Sequence, residues 1–205
     1  MHRILSALVI AIALTSIANS QEANSFNIPA TDAGLPGDGP IRRYDWFQNL
    51  WKNRRSMWAA QVQQDQGALV FLGDSITQGW GPKMTNAFPG VKVANRGISG
   101  DTTRGMLIRL REDVLSLKPS GVVLLMGTND LEEGAKPKTI AANLKLIVSE
   151  LKTHSEQMPI VLCNVFPSST SKKRSADDIR EINKLYAEVV KGDPQITVVL
   201  SLIHI

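Results

Sequence analysis

Ser75, Gly100 and Asn129 are the residues whose types and settings could support a reaction. Ser75 lies in Gly73-Asp74-Ser75-Ile76-Thr77, directly after the apolar run Ala68-Leu69-Val70-Phe71-Leu72. A short apolar run ending in glycine reads as a buried strand that stops at a loop. Ligands of open parallel sheets bind beyond the carboxyl ends of the strands, so Ser75 stands where a reacting group is needed. Gly100 closes Asn95-Arg96-Gly97-Ile98-Ser99-Gly100 after a second strand-like run, and Asn129 sits in Gly127-Thr128-Asn129-Asp130 after a third. Ester hydrolysis needs a nucleophile and hydrogen-bond donors aimed at the developing oxyanion. Ser75 offers a hydroxyl and its backbone N–H, Gly100 an unobstructed N–H, and Asn129 a side-chain amide. Each alone has an ordinary explanation: a helix cap, a turn glycine, and a side chain tying its own turn. Three of them after three successive strands are far harder to obtain by chance.

The elements that must position them follow from periodicity. Trp46, Phe47, Leu50, Trp51, Met57 and Trp58 recur at helical spacing within 44–64, and these aromatics are expected to dock a helix onto a sheet. Strands are expected at 68–72, 91–95, 121–126, 159–165 and from 196. The unbroken apolarity of 121–126 predicts burial on both faces. Met106, Leu107, Leu110 and Val114 mark a helix over 103–115, and Pro137 suits the first turn of the next. Ser175 and Asp178 form a capping box that opens a last helix. Strands alternating with such helices predict a three-layer α/β/α sandwich around a parallel sheet.

Gly73-Asp74-Ser75, Gly100 and Gly127-Thr128-Asn129-Asp130 resemble blocks I, II and III of the SGNH (GDSL-type) esterases and lipases. The run from Asn95 to Arg104 further resembles the platelet-activating-factor acetylhydrolase catalytic-subunit branch. The likeness spans about residues 68–199. It implies a flavodoxin-like five-stranded sheet of order 2-1-3-4-5, with Ser75 at a topological switch point. It also implies Ser75 as nucleophile, an oxyanion hole of Ser75, Gly100 and Asn129, and Asp74 as a brace behind them. The Gly-x-Ser-x-Gly elbow of the α/β-hydrolases is absent, because position 77 is Thr. Trp80 and Phe166, in loops after the first and fourth strands, are candidate pocket walls or packing residues.

The same family takes its base from an Asp-x-x-His block near the carboxyl terminus, and here the pattern breaks. The chain has three histidines, His2, His154 and His204. His154 is expected at the wrong edge of the sheet, and the residue three before His204 is Ser201. Residues 200–205 resemble translated sequencing-adapter sequence and are expected to be a non-native tail. The last helix and the Asp-x-x-His block are then missing, and the chain as written is expected to be inactive. The intact parent is expected to deacylate short-chain, acetyl-type esters of carbohydrate or lipid. The rival readings are a non-catalytic carbohydrate- or lipid-binding module and a phosphate- or nucleotide-binding flavodoxin-like protein.

Length and composition fit one domain, residues 44–199, in a chain of 205 residues with 43% hydrophobic and 20% charged residues. Residues 1–20 read as a secretory signal peptide, with Arg3 before an apolar run and Ala18-Asn19-Ser20 as cleavage site. The protein is therefore expected to be secreted or periplasmic, with no stable membrane anchor. Residues 21–43 read as a Gly/Pro-rich leader with little to bury. The net charge is +4, but its clusters, Lys52-Arg54-Arg55 and Lys172-Lys173-Arg174, lack interleaved aromatics. They are expected to be solvated faces without a nucleic-acid partner. No Cys/His metal spacing, Walker-type loop or Gly-x-Gly-x-x-Gly pattern occurs, so no cofactor is expected and a small ester is the expected partner. Cys163, the single cysteine, cannot form an internal disulfide and is expected to pack.

Overall fold

The computed structural model describes residues 26–168 and 172–199. Helix α1 (Asp45–Gln61) leads into β1 (Leu69–Gly73), followed by two five-residue helices, α2 (Ser75–Gly79) and α3 (Lys83–Ala87). Then come β2 (Val93–Gly97), α4 (Thr103–Asp113), β3 (Gly121–Leu125) and the short α5 (Thr128–Glu132). The chain continues through α6 (Pro137–His154), β4 (Ile160–Cys163), α7 (Ala176–Val189) and β5 (Ile196–Val199). All strand pairs are parallel and the order is β2-β1-β3-β4-β5, the expected α/β architecture. The capping box is present: the Ser175 hydroxyl accepts from the Asp178 N–H at the start of α7.

Val70, Leu72, Ala94, Val122, Leu124, Ile160 and Leu162 are buried beneath α4, α6 and α7. The opposite face differs from the expectation drawn from 121–126. Phe71, Val123, Leu125, Val161 and Cys163 are only half-buried. Apolarity on both faces of a strand therefore reports a tendency that the covering layer fulfils unevenly. Near β1 that layer includes Phe88, whose ring lies 5.1 Å from Phe71, with Trp80 6.2 Å beyond it.

Two further expectations are corrected. Described from residue 26, the leader is a strap that packs on the domain. Ile28 and Ile41 are buried with Phe47, Trp51, Trp58 and Ile98. Arg104 donates to Asp32 and to the Gly39 carbonyl, and Asn143 exchanges hydrogen bonds with the backbone of Asp38. Turn-forming composition records the strap's bends but not the arginine and asparagine far along the chain that hold it. Nor is Lys52-Arg54-Arg55 a solvated face throughout, since only Lys52 is exposed. Arg55 is buried against Asp113, and Arg54 lies 4.9 Å over Trp58. Arg96 and Arg109 also stack on these tryptophans, whose flat faces shelter the guanidinium groups. Burial, then the nearby Arg109 and Arg96, lowers the Arg54 pKa to about 10.

Glycine is required where the β1 and β2 loops close on each other. A Cβ at Gly97 would lie 2.3 Å from the Gln78 backbone nitrogen and 2.8 Å from the Thr77 carbonyl carbon. Neither atom can move without displacing α2, so Gly97→Ala is expected to cost about 4 kcal/mol or more. A Cβ at Gly79 meets nothing within 4 Å. Gly79→Ala is expected to be neutral or to stabilise by about 0.4–1 kcal/mol. Urea midpoints of the two variants check the contrast.

Candidate active site

Parallel register brings the three motifs to one edge. Gly73, at the end of β1, pairs with Gly97 of β2 and Leu125 of β3. Ser75 follows Gly73 by two residues, Gly100 follows Gly97 by three, and Asn129 follows Leu125 by four. Asn129 ties the loops together. Its buried amide nitrogen donates to the Asp101 carbonyl at 2.9 Å and reaches the Asp74 carboxylate at 3.5 Å. It therefore touches the residue before Ser75 and the residue after Gly100.

Ser75 opens α2, with Asp74 as its cap; the Asp74 carboxylate accepts from the Ile76 N–H at 2.9 Å. The Ser75 side chain is exposed, and its hydroxyl has no hydrogen-bond partner among the described residues. The backbone N–H groups of Ser75 and Gly100 are likewise unspent among the described residues. Gly100 adopts φ +90°, a left-handed conformation that suits glycine, and a Cβ there would lie 2.7 Å from Trp46 Cη2. Asn129 is not the uncommitted donor that its type suggests, because Asp101 already holds one of its two N–H bonds at good length.

The carboxylates beneath the site are held without exposure to water. Burial raises the Asp74 carboxyl above its ordinary value, against the Ile76 N–H and the charge of Arg174. Burial takes Asp101 up to about 7 despite its bond from Arg109, and Asp130 to about 6 despite bonds from the Thr103 hydroxyl and N–H. Asp130 thereby anchors the start of α4 to α5, the two helices that follow Gly100 and begin beside Asn129.

Three neighbours of the site were not distinguished by the sequence pattern. Arg174, expected on a solvated face, donates to the side-chain amide oxygen of Asn129 at 3.0 Å and to Glu132 at 2.9 Å. Arg42 is buried beside Gly100 and pairs with Glu132 and Glu133. Burial alone would raise the Glu132 carboxyl, but Arg42 and Arg174 hold it below its ordinary value. Trp46 sits against Gly100 instead of docking on the sheet. The only available signal was its position one residue before Phe47, about 100° around α1 from the buried face.

Of the two candidate walls, Trp80 packs on Phe88, and Phe166 is half-buried beyond β4. Neither lines the cavity beside Gly100, which is formed instead by Arg42, Trp46 and their neighbours. Among the described residues His154 is the only histidine, at the end of α6 that leads into the amino end of β4. It lies at the edge opposite Ser75. His204 and the suspected tail fall outside the described residues, as does the signal peptide. Among the described residues, no cluster of His, Cys, Asp or Glu could hold a metal ion, and no helix is long and apolar enough to cross a membrane.

Comparison with known proteins bears on the family and the fold. The model of the GDSL-like Lipase/Acylhydrolase family matches residues 71–199. The platelet-activating factor acetylhydrolase IB subunit alpha2 of Rattus norvegicus is 26% identical over 171 residues, covering 80% of this chain and 68% of the relative. An acetylxylan esterase of Geobacillus stearothermophilus is 45% identical over 42 residues, covering 20% of this chain and 19% of the relative. The crystal structure of a GDSL-like lipase from Bacteroides thetaiotaomicron superposes with a TM-score of 0.57 at 26% identity, covering 71% of this chain and 77% of that one.

Proposed function

Because the chain belongs to the GDSL-like lipase/acylhydrolase family, a family of carboxylic ester hydrolases, we propose that the intact protein deacylates short-chain, acetyl-type esters through an acyl-enzyme on Ser75. The observation that carries this reading is an exposed Ser75 hydroxyl and two backbone N–H groups, of Ser75 and Gly100, that have no partner among the described residues, with Asn129 joining their loops. The Ser75 oxygen attacks the acyl carbonyl and its proton passes to a general base. The carbonyl oxygen, now negative, accepts from the N–H groups of Ser75 and Gly100 and from the Asn129 N–H that is otherwise held only by the long, 3.5 Å contact with Asp74. Collapse of the intermediate expels the alcohol, which takes up the proton. A water molecule then repeats the sequence on the acyl-enzyme and releases the carboxylic acid.

The base must lie within hydrogen-bond reach of Ser75. His154, at the far edge, does not meet that condition. The described residues hold no other histidine, so they do not contain a histidine base for Ser75. The acetyl preference draws on the names of the rat and Geobacillus relatives, an acetylhydrolase and an acetylxylan esterase. Export through residues 1–20 accords with an extracellular acylated substrate.

A fluorophosphonate probe tests the nucleophile directly. The full-length protein should be labelled on the peptide containing Ser75, and His154→Ala should change the labelling rate by less than about twofold. Failure to label a folded protein would favour the non-catalytic binding module.

A further inference from the structure

Tyr44 and Trp46 are two large aromatics spent on solvent. Each is about half exposed, at 53% and 52%, while Phe47, Trp51 and Trp58 on the same helix are buried. Their rings are nearly parallel, 10° apart in plane with centroids at 6.5 Å. Trp46 is fixed by an edge-on contact with Phe47 and by its position against Gly100. Tyr44 is fixed by its hydroxyl, which donates to Glu133 at 3.1 Å. The two rings form one wall of a cavity of about 420 Å³. Arg42, Glu132 and Glu133 form another, and Lys172 and Lys173 flank it. Arg42 touches the Gly100 position, and Glu132 ends the helix that carries Asn129. The cavity therefore adjoins both neighbours of the Ser75 loop.

We propose that this cavity is the subsite for the alcohol half of the substrate, and that it takes a pyranose ring of an acylated carbohydrate against Trp46 and Tyr44. The proposal rests on the ester-hydrolase reading of Ser75 and names what that ester is attached to. A pyranose has an apolar C–H face and a rim of hydroxyl groups. Exposed aromatic rings bordered by carboxylates and cations answer both. Small-molecule sites combine apolar contact area with a few placed polar groups in the same way. An exposed aromatic patch of this kind also marks an interaction site. A fatty chain would require an enclosed apolar groove, whereas charged side chains form much of this lining. A polyphosphate strand would meet two carboxylates, one of them bonded to Tyr44.

Titration of the full-length Ser75→Ala protein with unesterified xylotriose and cellotriose, followed by calorimetry and tryptophan fluorescence, tests the subsite without turnover. At least one trisaccharide should bind saturably. Trp46→Ala, made in the Ser75→Ala protein, should weaken that binding by about tenfold or more, as loss of a central aromatic anchor does. Trp46→Phe should retain most of it, and Trp80→Ala, at a ring that packs on Phe88 outside the cavity lining, should leave it within about twofold. The melting temperature of each variant separates lost binding from lost folding. Absence of saturable binding by both sugars, or binding indifferent to Trp46→Ala, would overturn the proposal. So would Trp46-dependent binding of oligothymidylate or phosphatidylcholine vesicles in place of sugar. Sugar binding that persists in a protein whose Ser75 resists the fluorophosphonate would retire the hydrolase reading and leave the subsite standing.

Discussion

In the intact protein, Ser75→Ala is expected to reduce kcat for p-nitrophenyl acetate by about 10⁴–10⁶-fold, the range found when a serine hydrolase loses its nucleophile. The structural cost of the change should be small. The Ser75 hydroxyl is exposed and has no partner among the described residues, and the cap of α2 is supplied by Asp74. Alanine is also the strongest helix former, and Ser75 sits in the first turn. Its melting temperature should therefore match that of the unaltered protein, corresponding to a stability change within about 0.5 kcal/mol. The pairing of lost activity with retained stability identifies a chemical role. A variant keeping more than a tenth of the activity would remove Ser75 from the mechanism. A variant losing activity and fold together would make it a structural residue.

The fold was legible because its signals are local. Alternating apolar runs and amphipathic helices located all five strands within a few residues, and Ser175 with Asp178 marked the start of α7. The placement of Ser75, Gly100 and Asn129 at one edge followed from parallel pairing alone, which makes the ends of β1, β2 and β3 neighbours. What the sequence hid are interactions between residues far apart along the chain. Arg174 and Asn129 are 45 positions apart, and Arg42 and Glu133 are 91 apart. A charged run has the same appearance whether its guanidinium groups face water or a buried carboxylate. Arg55 and Arg174 were misread for that reason, and Lys172 and Lys173, adjacent to Arg174, are indeed exposed. The leader was misread similarly, since its anchors Arg104 and Asn143 belong to later helices. The short α2 and α5 also escaped periodicity, because five residues are too few to display a helical stripe.

Asn129 carries the second large effect, and its surroundings dictate how the effect should divide. Asn129→Ala removes a donor proposed for the oxyanion, which typically lowers kcat by about 10²–10³-fold, or roughly 3–4 kcal/mol. It also strands the Asp101 carbonyl and takes one partner each from the Asp74 carboxylate and the Arg174 guanidinium, which keep the Ile76 N–H and Glu132 respectively. Leaving buried polar groups without partners should cost a further 1–3 kcal/mol or so of stability. Asn129→Asp separates the two contributions. It preserves the shape and the acceptor for Arg174, but sets a carboxylate oxygen against the Asp101 carbonyl and beside Asp74. It also aims negative charge at the position of the oxyanion, so its kcat should fall below that of Asn129→Ala. An oxyanion donor acts on the intermediate and not on the bound ester, so KM should move by less than about threefold in both variants. If KM rises steeply while kcat persists, Asn129 holds the substrate and the oxyanion depends on the backbone N–H groups of Ser75 and Gly100 alone.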